Sequence, residues 1–158
     1  MSDQDRYDQI LTTTYTRMHH DTCAEAVLQG LLELWGISDK KLTWATAGYM
    51  GASQSGCTTC GLLIGASCAL GFRFGENVDT IPDDNKLRRK VIQRVENLYT
   101  EFLKEFGDTE CKHLSKCDFS NDEQVNQYVT TKRWKTSCDK FLKYIMDYCN
   151  NFTIAEKI

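Results

Sequence analysis

Gly56-Cys57-Thr58-Thr59-Cys60-Gly61-Leu62-Leu63-Ile64-Gly65-Ala66-Ser67-Cys68-Ala69-Leu70-Gly71 is the stretch on which the fold turns. It opens with a Cys-x-x-Cys pair and runs into the longest apolar segment of the chain. The segment before it, Gly48-Tyr49-Met50-Gly51-Ala52-Ser53-Gln54-Ser55, is rich in small residues and reads as a loop. The apolar run lacks proline and strict alternation and is too long for an ordinary strand. It predicts a buried helix whose first turn carries Cys57 and Cys60 on one face. A helix N-terminus favours a thiolate, so a lowered pKa is expected for either sulfur. Gly61, Gly65 and Ala69 recur every four residues and leave a bare stripe on which a second helix can pack closely.

The segments on either side also read as helices. Residues 3–18 predict a leading helix with Ile10 and Leu11 on its apolar face. Thr22-Cys23-Ala24-Glu25 has the form of a capping box, and Gly36 is placed to end the helix it opens. Cys23, Val27, Leu31 and Leu34 share the apolar face of that helix. Residues 39–47 predict a short helix carrying Leu42 and Trp44 into the core. Thr80-Ile81-Pro82-Asp83 resembles a helix start, followed by a stripe of Leu87, Val91, Val95, Leu98 and Phe102 at helical spacing. Gly107 is expected to stop that helix, and Asp108 to cap a short turn presenting Cys111 and then Cys117. Ser120-Asn121-Asp122-Glu123 reads as a further capping box. The last helix, residues 134–151, puts Cys138, Leu142, Ile145 and Cys149 on one face. Strand signals are missing, so the fold class is all-α: a compact bundle of about four main helices with short additional ones, in one domain over residues 1–158.

Composition narrows the function. The chain has 158 residues and a formal charge of −3, and a nucleic-acid binder would carry a basic face. No apolar run reaches the length of a membrane span, and the polar start lacks the layout of a signal peptide. A cytoplasmic, reducing location is expected. In such a space the eight cysteines point to metal ligands or redox thiols rather than a disulfide framework. His19 and His20 lack a histidine partner at metal-site spacing and read as solvated residues near a helix end. Cys68 reads as core filler and Cys149 as structural, since it lies too far along its helix from Cys138 to share a small centre.

Cys60-Gly61-Leu62-Leu63-Ile64-Gly65 resembles the Cys-Gly-Ala-x-x-Gly motif of a family of small proteins with four characteristic cysteines and an assigned redox role. Cys23-Ala24-Glu25-Ala26-Val27-Leu28 is similar to the family's first cysteine helix, and residues 48–56 to its glycine-rich loop. Phe106-Gly107-Asp108-Thr109-Glu110-Cys111-Lys112-His113-Leu114 and Arg133-Trp134-Lys135-Thr136-Ser137-Cys138 are similar to the segments with the third and fourth cysteines. The resemblance covers about residues 22–150. It departs at Leu62, where the family has alanine, and Cys57, Cys68, Cys117 and Cys149 are extra. It implies a redox role for Cys23, Cys60, Cys111 and Cys138. A related domain in split-Soret cytochromes associates its cysteines with an iron–sulfur centre.

Four thiolates in an apolar site repel one another and resist desolvation, and either a metal centre or oxidation to disulfides relieves that conflict. The leading expectation is therefore an iron–sulfur centre on Cys23, Cys60, Cys111 and Cys138, with Cys57 and Cys117 in reserve, serving electron transfer with a redox partner protein. The alternatives are thiol–disulfide exchange by Cys57 and Cys60, a structural zinc site, and an interaction module with inert cysteines. A homodimer is compatible with all of these. Covalent c-type haem is not expected, because Gly61 stands where the attachment motif needs histidine. No hydrolase, phosphate-loop or dinucleotide motif is present.

Overall fold

The computed structural model describes residues 1–75, 78–80 and 83–152. The described residues form eight α-helices, α1 (Asp3–Met18), α2 (Cys23–Leu34), α3 (Lys40–Thr43), α4 (Gly61–Gly75), α5 (Asn85–Phe106), α6 (Cys111–Ser115), α7 (Asp122–Thr130) and α8 (Trp134–Asn150). Single 3₁₀ turns lie at Trp44–Thr46, Gly51–Gln54 and Val78–Thr80. No strand occurs among the described residues, and a single isolated bridge pairs Thr59 with Glu110. None of their helices is long and apolar enough to cross a membrane.

Local chemistry starts and stops the long helices. Ser2 caps α1 and Thr22 caps α2, each in a reciprocal box with the acid three residues on, Asp5 and Glu25. The Ser2 box was not foreseen. At the far ends, Gly36 and Gly107 take φ of +74° and +78°, a backbone state that glycine adopts without a Cβ clash. Asn121, rather than Ser120, caps α7, its side chain accepting from the Gln124 N–H at 3.0 Å. The expected helix start at Ile81-Pro82 lies outside the described residues.

The centre of the bundle is the α2–α4 pair. A Cβ on Gly65 would stand 2.2 Å from the Ala24 carbonyl oxygen and 2.5 Å from Val27 Cγ1. The small-residue stripe thus sets the two backbones in contact. Around this pair, Val27, Leu28, Leu31, Leu63, Ala66, Leu70, Leu142 and Ile145 are completely buried. α1 adds Tyr7, Leu11, Thr14 and Met18, at spacings of four, three and four residues. It is a full member of the bundle, so the long helices number five among the described residues. On α5, burial deepens along the stripe, from partly covered Val91 to Leu98 and Phe102 at 0% exposure.

Two core assignments are corrected. Trp44 is 76% exposed, because the 39–47 segment shortens to one α-turn and one 3₁₀ turn, and of the two expected core residues Leu42 alone packs against the core. Cys68 is exposed as well. Its neighbours Ala69 and Leu70 take the buried faces of α4, and a helix in contact with α2, α5 and α8 still keeps an outer edge.

Candidate redox site

α4 begins at Gly61, later than the sequence suggested, and the reason lies in the threonines. Thr58, Thr59 and Cys60 are not helical; β-branched side chains favour extended backbone. They run alongside residues 109–112, with Cys60 N–H donating to the Thr109 carbonyl, Cys111 N–H to Thr58 and Lys112 N–H to Gly56, each at 2.8 Å. This corrects the reading of Cys57 and Cys60 as partners on a first helical turn. Cys57 lies exposed in the loop, whereas Cys60 is 8% exposed at the head of α4. Its carbonyl accepts from Leu63 and Ile64 N–H, closing the first turn.

The same backbone pairing delivers Cys111 beside Cys60. Cys111 opens α6, behind a turn in which Asp108 Oδ1 accepts from Thr109 and Glu110 N–H at 2.7 and 2.8 Å. The glycine loop makes room for it: a Cβ on Gly51 would fall 2.6 Å from Cys111 Sγ. Cys23 stands at the first position of α2, across from α4; a Cβ on Gly61 would meet Cys23 Cβ at 3.3 Å. Cys138, just over one turn into α8, completes the group.

Electrostatics ties these four sulfurs together. Burial pushes the Cys23 thiol well above its ordinary value, and Cys138, Cys60 and Cys111 push it further. Cys60 is pushed up to about 12 by burial and then by Cys138 and Cys111, against the Leu62 and Leu63 N–H groups at the head of α4. The lowered pKa expected at this helix end is thus reversed, because desolvation outweighs the helix terminus. Cys111 is also pushed up to about 12, by burial, Cys138, Cys117 and Glu110. Burial raises Cys138, and a hydrogen bond with the Tyr128 hydroxyl at 3.5 Å opposes it.

The remaining cysteines stand apart in different ways. Cys117 is buried beside the group and acts on Cys111. Cys149 is buried at the far end of α8, pushed up to about 12 by burial alone. His19 sits with Nε2 3.9 Å from Asp139 Oδ1 and its ring edge-on to Trp134. The sequence pattern did not reveal Tyr128. The lone aromatic of α7 marks its inward side, but nothing in the spacing says that it meets a cysteine.

The donor set, four thiols in a largely desolvated site, is the chemistry that iron–sulfur centres and zinc take. The spacing is another matter. Among the described residues, no three His, Cys, Asp or Glu side chains form a group that could hold a metal ion. A single zinc would draw its sulfurs to about 2.3 Å from one point. Here the thiols share one electrostatic neighbourhood without that convergence.

The family model described as "Putative redox-active protein (C_GCAxxG_C_C)" matches residues 22–152. No curated protein and no solved structure matches the chain.

Proposed function

Since the chain belongs to this redox-active family, we propose that it is an electron-transfer protein whose Cys23, Cys60, Cys111 and Cys138 hold an iron–sulfur centre and exchange electrons with a partner protein in the cytoplasm. The observation that carries this reading is the placement of the cysteines: backbone pairing of residues 56–60 with 109–112 sets Cys111 beside Cys60, Cys23 faces Gly61 at the head of α4, and burial raises all four thiols, Cys138 included. As thiolates these sulfurs need a cation among them, and a centre of several irons supplies it while accepting and releasing single electrons. The protein's own contribution is to exclude water, to fix four sulfurs on four elements, and to aim the Leu62 and Leu63 N–H groups at Cys60.

A second reading shares the site. The four thiols can cycle between dithiol and disulfide, and their raised pKa values keep them protonated and slow until a partner engages them. Exchange through Cys57 and Cys60 is the weaker form of this reading, since one sulfur faces solvent and the other is buried.

Anaerobic purification followed by an absorption spectrum and iron, sulfide and zinc analysis tests the proposal. Broad visible absorption with matched iron and sulfide, lost in Cys60→Ser and kept in Cys149→Ser, is the expected result. Zinc alone, or a colourless protein with titratable thiols, overturns the cluster. Equal loss in the two variants overturns the site assignment.

A further inference from the structure

α7 is an odd helix for this bundle. None of its nine residues is buried, and only Val125 and Tyr128 are partly covered. Yet the chain fixes it firmly. Asn121 caps it, and Gln124 Oε1 turns back to accept the Asp118 N–H at 2.8 Å. The helix thus delivers one ring inward. Tyr128 packs edge-on against Phe119 at 5.3 Å and tilted against Trp134 at 5.8 Å, with its hydroxyl 3.5 Å from Cys138 Sγ.

We propose that the Tyr128 hydroxyl donates to the Cys138 sulfur in its electron-rich state and so raises the reduction potential of the four-cysteine site. This inference rests on the reading of that site as a redox centre. A packing role alone would be met by phenylalanine, whereas a half-buried hydroxyl needs a partner, and the one it has is this sulfur. The direction of the bond follows from the sulfur's state: an ionised or ligating sulfur carries no proton and only accepts, so the phenol O–H 3.5 Å away is the donor. Negative charge placed on the Cys138 sulfur by an electron from a reductant would strengthen this hydrogen bond. No proton leaves the phenol, and no covalent bond changes at the tyrosine. Tyr128 is therefore a positioning residue that acts through Cys138.

The test is an anaerobic spectroelectrochemical titration of the full chain, of Tyr128→Phe, and of both proteins made with fluorotyrosine. Loss of a hydrogen bond to a charged group, at about 1.5 kcal/mol, is roughly a tenfold loss of the reduced form at the wild-type midpoint. That equals a fall of about 59 mV for a one-electron couple. The more acidic fluorotyrosine is expected to raise the wild-type midpoint and to leave Tyr128→Phe unmoved. An unchanged midpoint in Tyr128→Phe overturns the inference while the redox centre stands. If that variant fails to fold, as judged by circular dichroism, an unmoved midpoint in the fluorotyrosine wild type overturns it alone. A wild-type chain with no redox couple overturns the reading of the site itself, and the inference falls with it.

Discussion

Gly65 on α4 and Ala24 on α2 touch backbone to backbone: the missing Cβ of Gly65 would occupy space 2.2 Å from the Ala24 carbonyl oxygen. Ala24 immediately follows Cys23, and Gly65 lies five residues past Cys60. The contact that closes the core therefore also sets the distance between two of the four sulfurs. Backbone cannot yield as a flexible side chain does, so Gly65→Ala is expected to force the helices apart. It should destabilise the protein by about 1–3 kcal/mol, despite alanine's better helix propensity. Gly71, two turns further along, has nothing within 4 Å of its Cβ position. Gly71→Ala is expected to stabilise by about 0.5–1 kcal/mol. Urea denaturation of the two variants checks both signs, and equal effects would refute the close contact.

Gly51 makes the corresponding opening for Cys111. Its Cβ would stand 2.6 Å from Cys111 Sγ and 2.8 Å from Cys111 Cβ, and both atoms sit close to a backbone pinned by the Thr58 carbonyl. Gly51→Ala should displace the sulfur while leaving the long helices formed. If the proposed iron–sulfur centre is present, the expected outcome is a protein with wild-type circular dichroism and at most about a tenth of its iron and sulfide, within the range that mis-set ligand support costs. Wild-type loading would show that the loop does not position Cys111.

Most of the helical frame was legible because capping boxes, glycine stops and apolar periodicity are local signals. Thr22 to Glu25, Gly36, Gly107 and the 87–102 stripe all acted where the sequence placed them. What failed was non-local. The start of α4 moved to Gly61 because Thr58 to Cys60 pair with residues 109–112, fifty positions away. Trp44 and Cys68 look like core by composition, yet neighbouring helices leave their faces uncovered. The four cysteines could be named from resemblance to a family. Cys23 and Cys138 could also be placed on inward faces. The outcome at Cys60 could not be read, because burial set by how α2, α4, α6 and α8 meet reverses the low thiol pKa expected at a helix start. The Tyr128 contact with Cys138 is invisible for the same reason.

Thiol accessibility separates the eight cysteines without any assumption about a cofactor. Cys57 and Cys68 are exposed, while Cys60, Cys117 and Cys149 are buried. Cys23, Cys111 and Cys138 are partly covered, with thiols raised mainly by burial. At pH 8, in the reduced native protein, two thiols are expected to react rapidly with a chromogenic disulfide reagent, and the rest only as the chain unfolds. Replacing Cys57 and Cys68 with alanine should remove the fast phase. A fast phase that survives in the double variant would mean that the four-cysteine site is open to solvent.

Cys149 gives a pH test far from that site. Its thiol is fully buried in the α8 face, and burial pushes it from 9.0 up to about 12. In the unfolded chain the thiol ionises as pH passes about 9, while in the folded chain it stays protonated. Between those values the unfolded state binds fewer protons, so stability must fall as pH rises. The contribution is fully present below pH 9 and is lost through about pH 12, at up to about 1.4 kcal/mol per pH unit for one thiol. Cys149→Ala costs core packing at every pH, but it should make the decline between pH 9 and 11 shallower than in the wild type. Denaturation midpoints at pH 8, 9, 10 and 11 compare the slopes. Parallel slopes would mean that Cys149 ionises in the folded protein as readily as in the unfolded one.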